Sequence, residues 1–107
     1  MSKRDLLSLR DISRAEIGQV FSLARRLKRE QKQGILHRLL KGKTLALIFE
    51  KPSLRTRVSF ETGMAQLGGH AVFLGPQEIQ LGVRESPSDC ARSLSRWVDI
   101  ISVRTFF

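Results

Sequence analysis

At 107 residues, 41% hydrophobic and 27% charged, the chain has the size and balance of one globular domain with a modest core. No apolar run approaches the roughly 20 residues of a bilayer span, and no apolar stretch follows the charged start Met1-Ser2-Lys3-Arg4-Asp5 as in a signal peptide. The net charge of +9 leaves open a nucleic-acid partner, a site for a small anion, or a chain missing an acidic remainder.

Ser13-Arg14-Ala15-Glu16 reads as a capping box. Behind it Ile17, Val20, Phe21, Ala24 and Leu27 recur at helical spacing, which predicts a helix of about 17 residues with one buried face. Its other face, with Arg25, Arg26, Lys28, Arg29 and Lys32, reads as solvated. Gly34 ends it. Ile35 to Leu40 suggests a short second helix buried through Leu36, Leu39 and Leu40, and Lys41-Gly42-Lys43 is a turn.

Thr44-Leu45-Ala46-Leu47-Ile48-Phe49 is apolar without alternation, the pattern of a strand buried on both faces. Pro52 disfavours helix at Lys51, so Glu50-Lys51-Pro52-Ser53 is a loop. A helix follows from about Leu54 with Val58, Met64 and Leu67 inward, and Gly68-Gly69 ends it. His70 to Leu74 is a second strand, closed by Gly75-Pro76. Gln77 to Glu85 reads as irregular. Ser86-Pro87-Ser88-Asp89 starts another helix, with Ala91, Leu94 and Trp97 or Val98 inward. Asp99 to Val103 is a third strand with Arg104 at its end.

The order is a helix, then β-α-β-α-β. This predicts an α/β fold: a three-layer domain with a parallel sheet and right-handed crossovers. Such sheets bind ligands beyond the carboxyl ends of their strands.

Chemistry is therefore sought after each strand. After the first, Ser53-Leu54-Arg55-Thr56-Arg57 opens a helix. Its free amides and dipole favour an anion, two hydroxyls add donors, and two guanidinium groups suit phosphate oxygens. A plain cap with solvated arginines is the bland alternative, but two hydroxyls and two arginines within five residues favour a phosphate or carboxylate site. The G-x-x-x-x-G-K-[ST] spacing of a P-loop is absent. After the second strand come Gln80, Arg84 and Glu85, where a plain surface loop is the first reading, although the stretch is long enough to suspect function. After the third, Arg104 faces the same edge. Together these describe a cradle for a dianion.

Other signals are weaker. There are no tyrosines, and the six Phe and one Trp lie mostly in apolar contexts, so no stacking platform for nucleic acid is evident. The lone Cys90 excludes an internal disulfide, and His37 and His70 stand far apart, so no metal cluster is expected and a reducing cytoplasm is the default compartment.

The segment Phe49-Glu50-Lys51-Pro52-Ser53-Leu54-Arg55-Thr56-Arg57-Val58-Ser59-Phe60-Glu61 resembles the carbamoyl-phosphate signature of the aspartate and ornithine carbamoyltransferases, centred on Ser-x-Arg-Thr-Arg. The resemblance runs on through Gln66 to Leu74, Ile79-Gln80-Leu81-Gly82, Arg84-Glu85-Ser86, Asp89, Ala91-Arg92 and Leu94-Ser95-Arg96. It spans about Leu6 to Arg104. Glu50-Lys51-Pro52-Ser53 and Gln80-Leu81-Gly82 look like the ornithine branch.

The resemblance implies that residues 1–107 form a carbamoyl-phosphate-binding domain, partial at its C-terminal end and without the ornithine-binding domain. It implies that Ser53, Arg55, Thr56 and the amide of Leu54 hold the phosphate, and that Arg57 is structural. Arg104, with Thr105 beside it, would bridge phosphate and carbamoyl oxygen, which makes Arg55 and Arg104 the catalytic pair. Gln80 would reach a neighbouring subunit's site in a trimer. Such enzymes pass the carbamoyl group to ornithine, giving citrulline and phosphate, with no cofactor and no nucleic-acid or membrane partner. Aspartate, putrescine or acylated ornithine as acceptor, or a non-catalytic anion-binding module, are the alternatives. Leu54 stands where the family often has Thr or Gly, so a side-chain hydroxyl contact is lost there but an amide contact survives. The family's His-Cys-Leu-Pro and His-x-x-Gln motifs are absent, and His70, expected at the opposite edge of the sheet, replaces neither. Turnover by this chain alone is expected to be weak or absent.

Overall fold

The structure, a computed structural model, describes residues 5–79 and 86–104. It comprises two compact units, Met1–Leu36 and His37–Phe107.

The first unit holds a 3-10 turn, Leu9–Asp11, and helix α1, Arg14–Lys32. The capping box forms as the sequence predicts. Ser13 Oγ accepts from the Glu16 amide at 3.1 Å, and Glu16 Oε1 accepts from the Ser13 amide at 2.9 Å. Gly34, at φ +81°, ends the helix: Ile35 N–H reaches the Glu30 carbonyl and Gly34 N–H the Gln31 carbonyl, the paired bonds of a Schellman close. The basic face is solvated, with Arg26 and Glu30 paired at 3.7 Å. The expected buried face is not buried. Val20 and Phe21 are exposed and α1 has no buried residue. The apolar stripe exists at helical spacing, but burial needs a covering surface, and no described residue of this unit supplies one.

The second unit is built on three strands, β1 (Thr44–Phe49), β2 (His70–Leu74) and β3 (Ile100–Arg104), in the order β2-β1-β3 and all parallel. Between them run α2 (Leu54–Gln66), the short α3 (Pro76–Ile79) and α4 (Pro87–Leu94). This is the expected α/β architecture. Leu45 pairs with Ala71 on one side and Ile100 on the other, which fixes both registers.

β1 is buried along Leu45 to Phe49 because it carries apolar side chains to both faces. Leu45, Leu47 and Phe49 pack with Met64 of α2, joined by Leu40, Ala71 and Phe73. Ile48 points the other way, to Cys90 of α4, with Leu74, Leu94 and Ile101 around them. The sheet is thus a middle layer between two helices. β3 is an edge among the described residues, with Ile100 and Val103 exposed. No described helix is long and apolar enough to cross a membrane.

The strands are also tied at their amino ends. Asp99 N–H reaches the Thr44 carbonyl at 2.9 Å, and the Asp99 carboxylate accepts from Thr44 N–H at 2.8 Å. At the end of α2, Gly68 (φ +86°) and Gly69 make a second Schellman close onto Ala65 and Met64. Gly69 is crowded: a Cβ there would lie 2.7 Å from Met64 Cε and 3.1 Å from the Leu40 and Lys43 carbonyl oxygens.

Four local expectations are corrected. Ile35 to Leu40 is not helical, because Leu40 N–H is drawn to the Leu67 carbonyl and Lys41 and Lys43 close turns; Leu36 and Leu39 are exposed and only Leu40 packs. Residues 77–79 are helical rather than irregular, Glu78 N–H closing on the Gly75 carbonyl. Val58 is half exposed, because the helical phase that brings Met64 to the sheet turns Val58 away. On α4 the inward side is Cys90 and Leu94, not Ala91 or Trp97, for the same reason.

Candidate functional site

The site is assembled at the carboxyl end of the sheet. β1 ends at Phe49, residues 50–53 turn outward, and α2 begins at Leu54. Ser53 is extended, at φ −158° and ψ 92°, in the N-cap position. A serine there ordinarily turns its oxygen to an amide of the first turn. Ser8, Ser13 and Ser86 all do so at their own helices. Ser53 makes no side-chain cap. Its hydroxyl instead donates to Thr56 Oγ1 at 2.9 Å, in a half-buried setting.

The consequence is electrostatic. The first intrahelical bond of α2 runs from Arg57 N–H to the Ser53 carbonyl at 3.0 Å. The amides of Leu54, Arg55 and Thr56 precede it, have no acceptor one turn back, and are covered by no cap side chain. They present the positive end of the helix dipole beside two coupled hydroxyls. Such a terminus attracts an anion with several oxygens.

Two guanidinium-bearing residues flank it. Arg55 is exposed on the first turn. Arg104 ends β3, is exposed, and lies in register with Phe49. Its carbonyl accepts from Glu50 N–H at 2.9 Å, so the third strand stays paired to the chain as it leaves β1. The Ser53 turn and Arg104 thus both lie at the carboxyl end of the sheet. A turn of open amides, two hydroxyls and planar cationic forks matches the donor needs of a phosphate group.

Arg57 departs from this group. It stacks on the Phe73 ring, its guanidinium carbon 3.7 Å from the ring centroid, and its Nε donates to Glu61 one turn on. Phe73 in turn meets Phe49 edge-on, with centroids 5.5 Å apart and planes at 79°. Neither Phe73 nor the Glu50 amide was singled out from the sequence. The i, i+4 spacing of Arg57 and Glu61 was a usable signal that Arg57 has a partner on its own helix.

Gln80, Arg84, Glu85 and Thr105 lie outside the described residues. His70 begins β2 beside Thr44, at the amino end of the strands and the opposite edge from Ser53. Cys90 is buried against Ile48, on the face of the sheet opposite Met64 of α2.

The chain matches the family model described as the carbamoyl-phosphate-binding domain of aspartate/ornithine carbamoyltransferase over residues 4–106. It is 55% identical over 104 residues to an ornithine carbamoyltransferase of Syntrophotalea carbinolica, covering 97% of this chain and 34% of that protein. A solved ornithine carbamoyltransferase from Pyrococcus furiosus superposes with a TM-score of 0.90 at 55% identity, over 94% of this chain and 32% of the other. A solved N-acetyl-L-ornithine transcarbamylase gives 0.80 at 40% identity, over 96% and 33%. The chain spans about a third of the length of the curated relatives it matches.

Proposed function

The chain belongs to the aspartate/ornithine carbamoyltransferase family, and on that premise we propose that it holds carbamoyl phosphate for carbamoyl transfer to ornithine. The observation that carries this reading is the uncapped start of α2, where Ser53 bonds Thr56 and leaves the first-turn amides open. In this reading Ser53, Thr56 and the Leu54 amide grip the phosphate. Arg55 and Arg104 are the catalytic pair: both neutralise charge on the phosphate, and Arg104 also polarises the carbamoyl oxygen. Gln80 reaches the site of a neighbouring subunit in a trimer.

The chemistry needs little more from these residues than position and charge. The δ-amine of ornithine attacks the carbamoyl carbon and a new C–N bond forms. The C–O bond to phosphate breaks, phosphate leaves with the electron pair, and the amine loses a proton. Citrulline and phosphate are the products. Negative charge grows on the carbamoyl oxygen and then on the leaving phosphate, where fixed donors and guanidinium groups are worth most.

The domain assignment follows. Residues 1–107 supply the carbamoyl-phosphate half, and because the chain spans about a third of its relatives' length, selecting and orienting the acceptor falls to the remainder of such proteins. Ornithine is the favoured acceptor because the highly identical relatives named above carry that name; an acylated ornithine is the alternative that the solved N-acetyl-L-ornithine relative supports. The place of work is the cytoplasm, in arginine metabolism.

The test is a citrulline assay with the purified chain beside a full-length relative. The expected result is weak or absent turnover by the chain alone. Turnover near the full-length rate contradicts the division of labour proposed here.

A further inference from the structure

We propose that Arg57 is a positioning residue, which fixes the first turn of α2 over the sheet by stacking on Phe73, and not a ligand of the anion. The proposal rests on the phosphate reading above and assigns the second arginine of the motif a role through other residues.

No apolar side chain holds the start of α2 down. None of residues 54–60 is buried; Leu54 and Val58 are well exposed. The first buried residue of the helix is Met64, two turns further on. The amino end of α2 thus lacks the apolar anchor that usually sets a helix on a sheet.

Arg57 stands seven residues before Met64 and four before Glu61, which puts the three on one stripe of the helix. That stripe faces the sheet. Its N-terminal contact is the guanidinium over the Phe73 ring at 3.7 Å, held by Glu61. Phe73 is itself braced edge-on by Phe49, the last residue of β1, whose backbone leads directly into residues 50–53. One contact chain therefore runs from α2 to the strand end at the root of the site. Arg55 lies about 200° around the helix axis from Arg57 at 100° per residue. The two arginines leave the helix on different sides, and only one is committed to a ring.

The stack restrains rotation and lift of the first turn, on which the convergence of the 54–56 amides with Ser53 and Thr56 depends. Planarity matters as well as charge, because a guanidinium lies flat on an aromatic face.

The experiment compares the wild-type chain with Arg57→Gln, Phe73→Leu, Phe73→Tyr and Arg55→Ala, using inorganic phosphate as the probe in calorimetry. Backbone 15N relaxation of residues 53–56 is read without ligand. Folding of each variant is checked by the dispersion of its amide spectrum. The expected result is that Arg57→Gln and Phe73→Leu each weaken phosphate several-fold and raise the mobility of residues 53–56. The double variant Arg57→Gln/Phe73→Leu, measured alongside them, should be no weaker than either single one. Phe73→Tyr, which keeps the ring, should restore both readouts and serves as the folded control if Phe73→Leu does not fold. Arg55→Ala should abolish binding without loosening the turn. Binding at wild-type strength by Arg57→Gln and Phe73→Leu, beside a dead Arg55→Ala, overturns the proposal alone. So does an Arg57→Gln loss with an unchanged turn, which marks a direct ligand. A folded wild-type chain that binds no phosphate overturns the phosphate reading and the positioning role with it.

Discussion

Ser53 gives its hydroxyl to Thr56, 2.9 Å away, at the one position where the start of α2 asks for a cap. The choice separates stability from function at this serine. Where Ser86 holds the Asp89 amide at 3.1 Å, loss of the hydroxyl removes a cap. Ser86→Ala should cost about 1 kcal/mol in urea denaturation, the usual value of a cap. Ser53→Ala should cost clearly less and should instead weaken phosphate. Equal costs in folding would show that Ser53 caps α2 in solution.

Arg104 is exposed and enters the fold through its backbone, by pairing with β1 and by accepting from Glu50 N–H. Arg104→Gln keeps that backbone. It should leave the unfolding free energy within about 0.5 kcal/mol of wild type, as surface changes do. Affinity for carbamoyl phosphate should fall by about 1.5–3 kcal/mol, the worth of a charged hydrogen bond. Isothermal calorimetry on the two proteins decides between this and a bystander arginine.

A ligand that binds the folded chain alone stabilises it by mass action. Carbamoyl phosphate or phosphate at 100 times its dissociation constant should add about 2.7 kcal/mol. In a domain of this size that raises the melting temperature by roughly 10 °C or more. Sodium chloride at equal ionic strength should not reproduce the rise, which differential scanning calorimetry can show.

Gly69→Ala tests the packing that seats α2. The new Cβ meets the flexible end of Met64, which can move, and two backbone carbonyls, which move less easily. The Lys43 carbonyl is already the acceptor of His70 N–H at 3.0 Å. The substitution should destabilise by about 1–3 kcal/mol, in the range of other overpacked sites. A neutral result in urea denaturation would mean that the 38–43 segment yields freely.

Much of this was legible in the sequence because the signals were local. The caps at Ser13 and Ser86 need only an amide three residues on, and both form. The run from Leu45 to Phe49 lacks polar positions because both faces are covered, and β1 is the central strand. From three strands in parallel, the placement of the Ser53 turn and Arg104 at the same end of the sheet followed. What was not legible depended on helical phase and on partners distant in sequence. Val58 is apolar and Arg57 is charged, yet the helical phase that packs Met64 on the sheet turns Val58 outward and brings Arg57 over the Phe73 ring. Leu36 and Leu39 look like a buried helical side, but the nearby Leu40 amide is claimed by Leu67, a partner 27 residues away that no local pattern encodes.

The central claim is that these residues alone make a carbamoyl-phosphate cradle, and calorimetric titration of the purified chain with carbamoyl phosphate tests it most directly, with Arg55→Ala as the control. Saturable binding by the wild-type chain is expected, and none by the variant at the same concentrations. A folded wild-type chain that releases no heat of binding, or an Arg55→Ala variant that binds equally well, would contradict it.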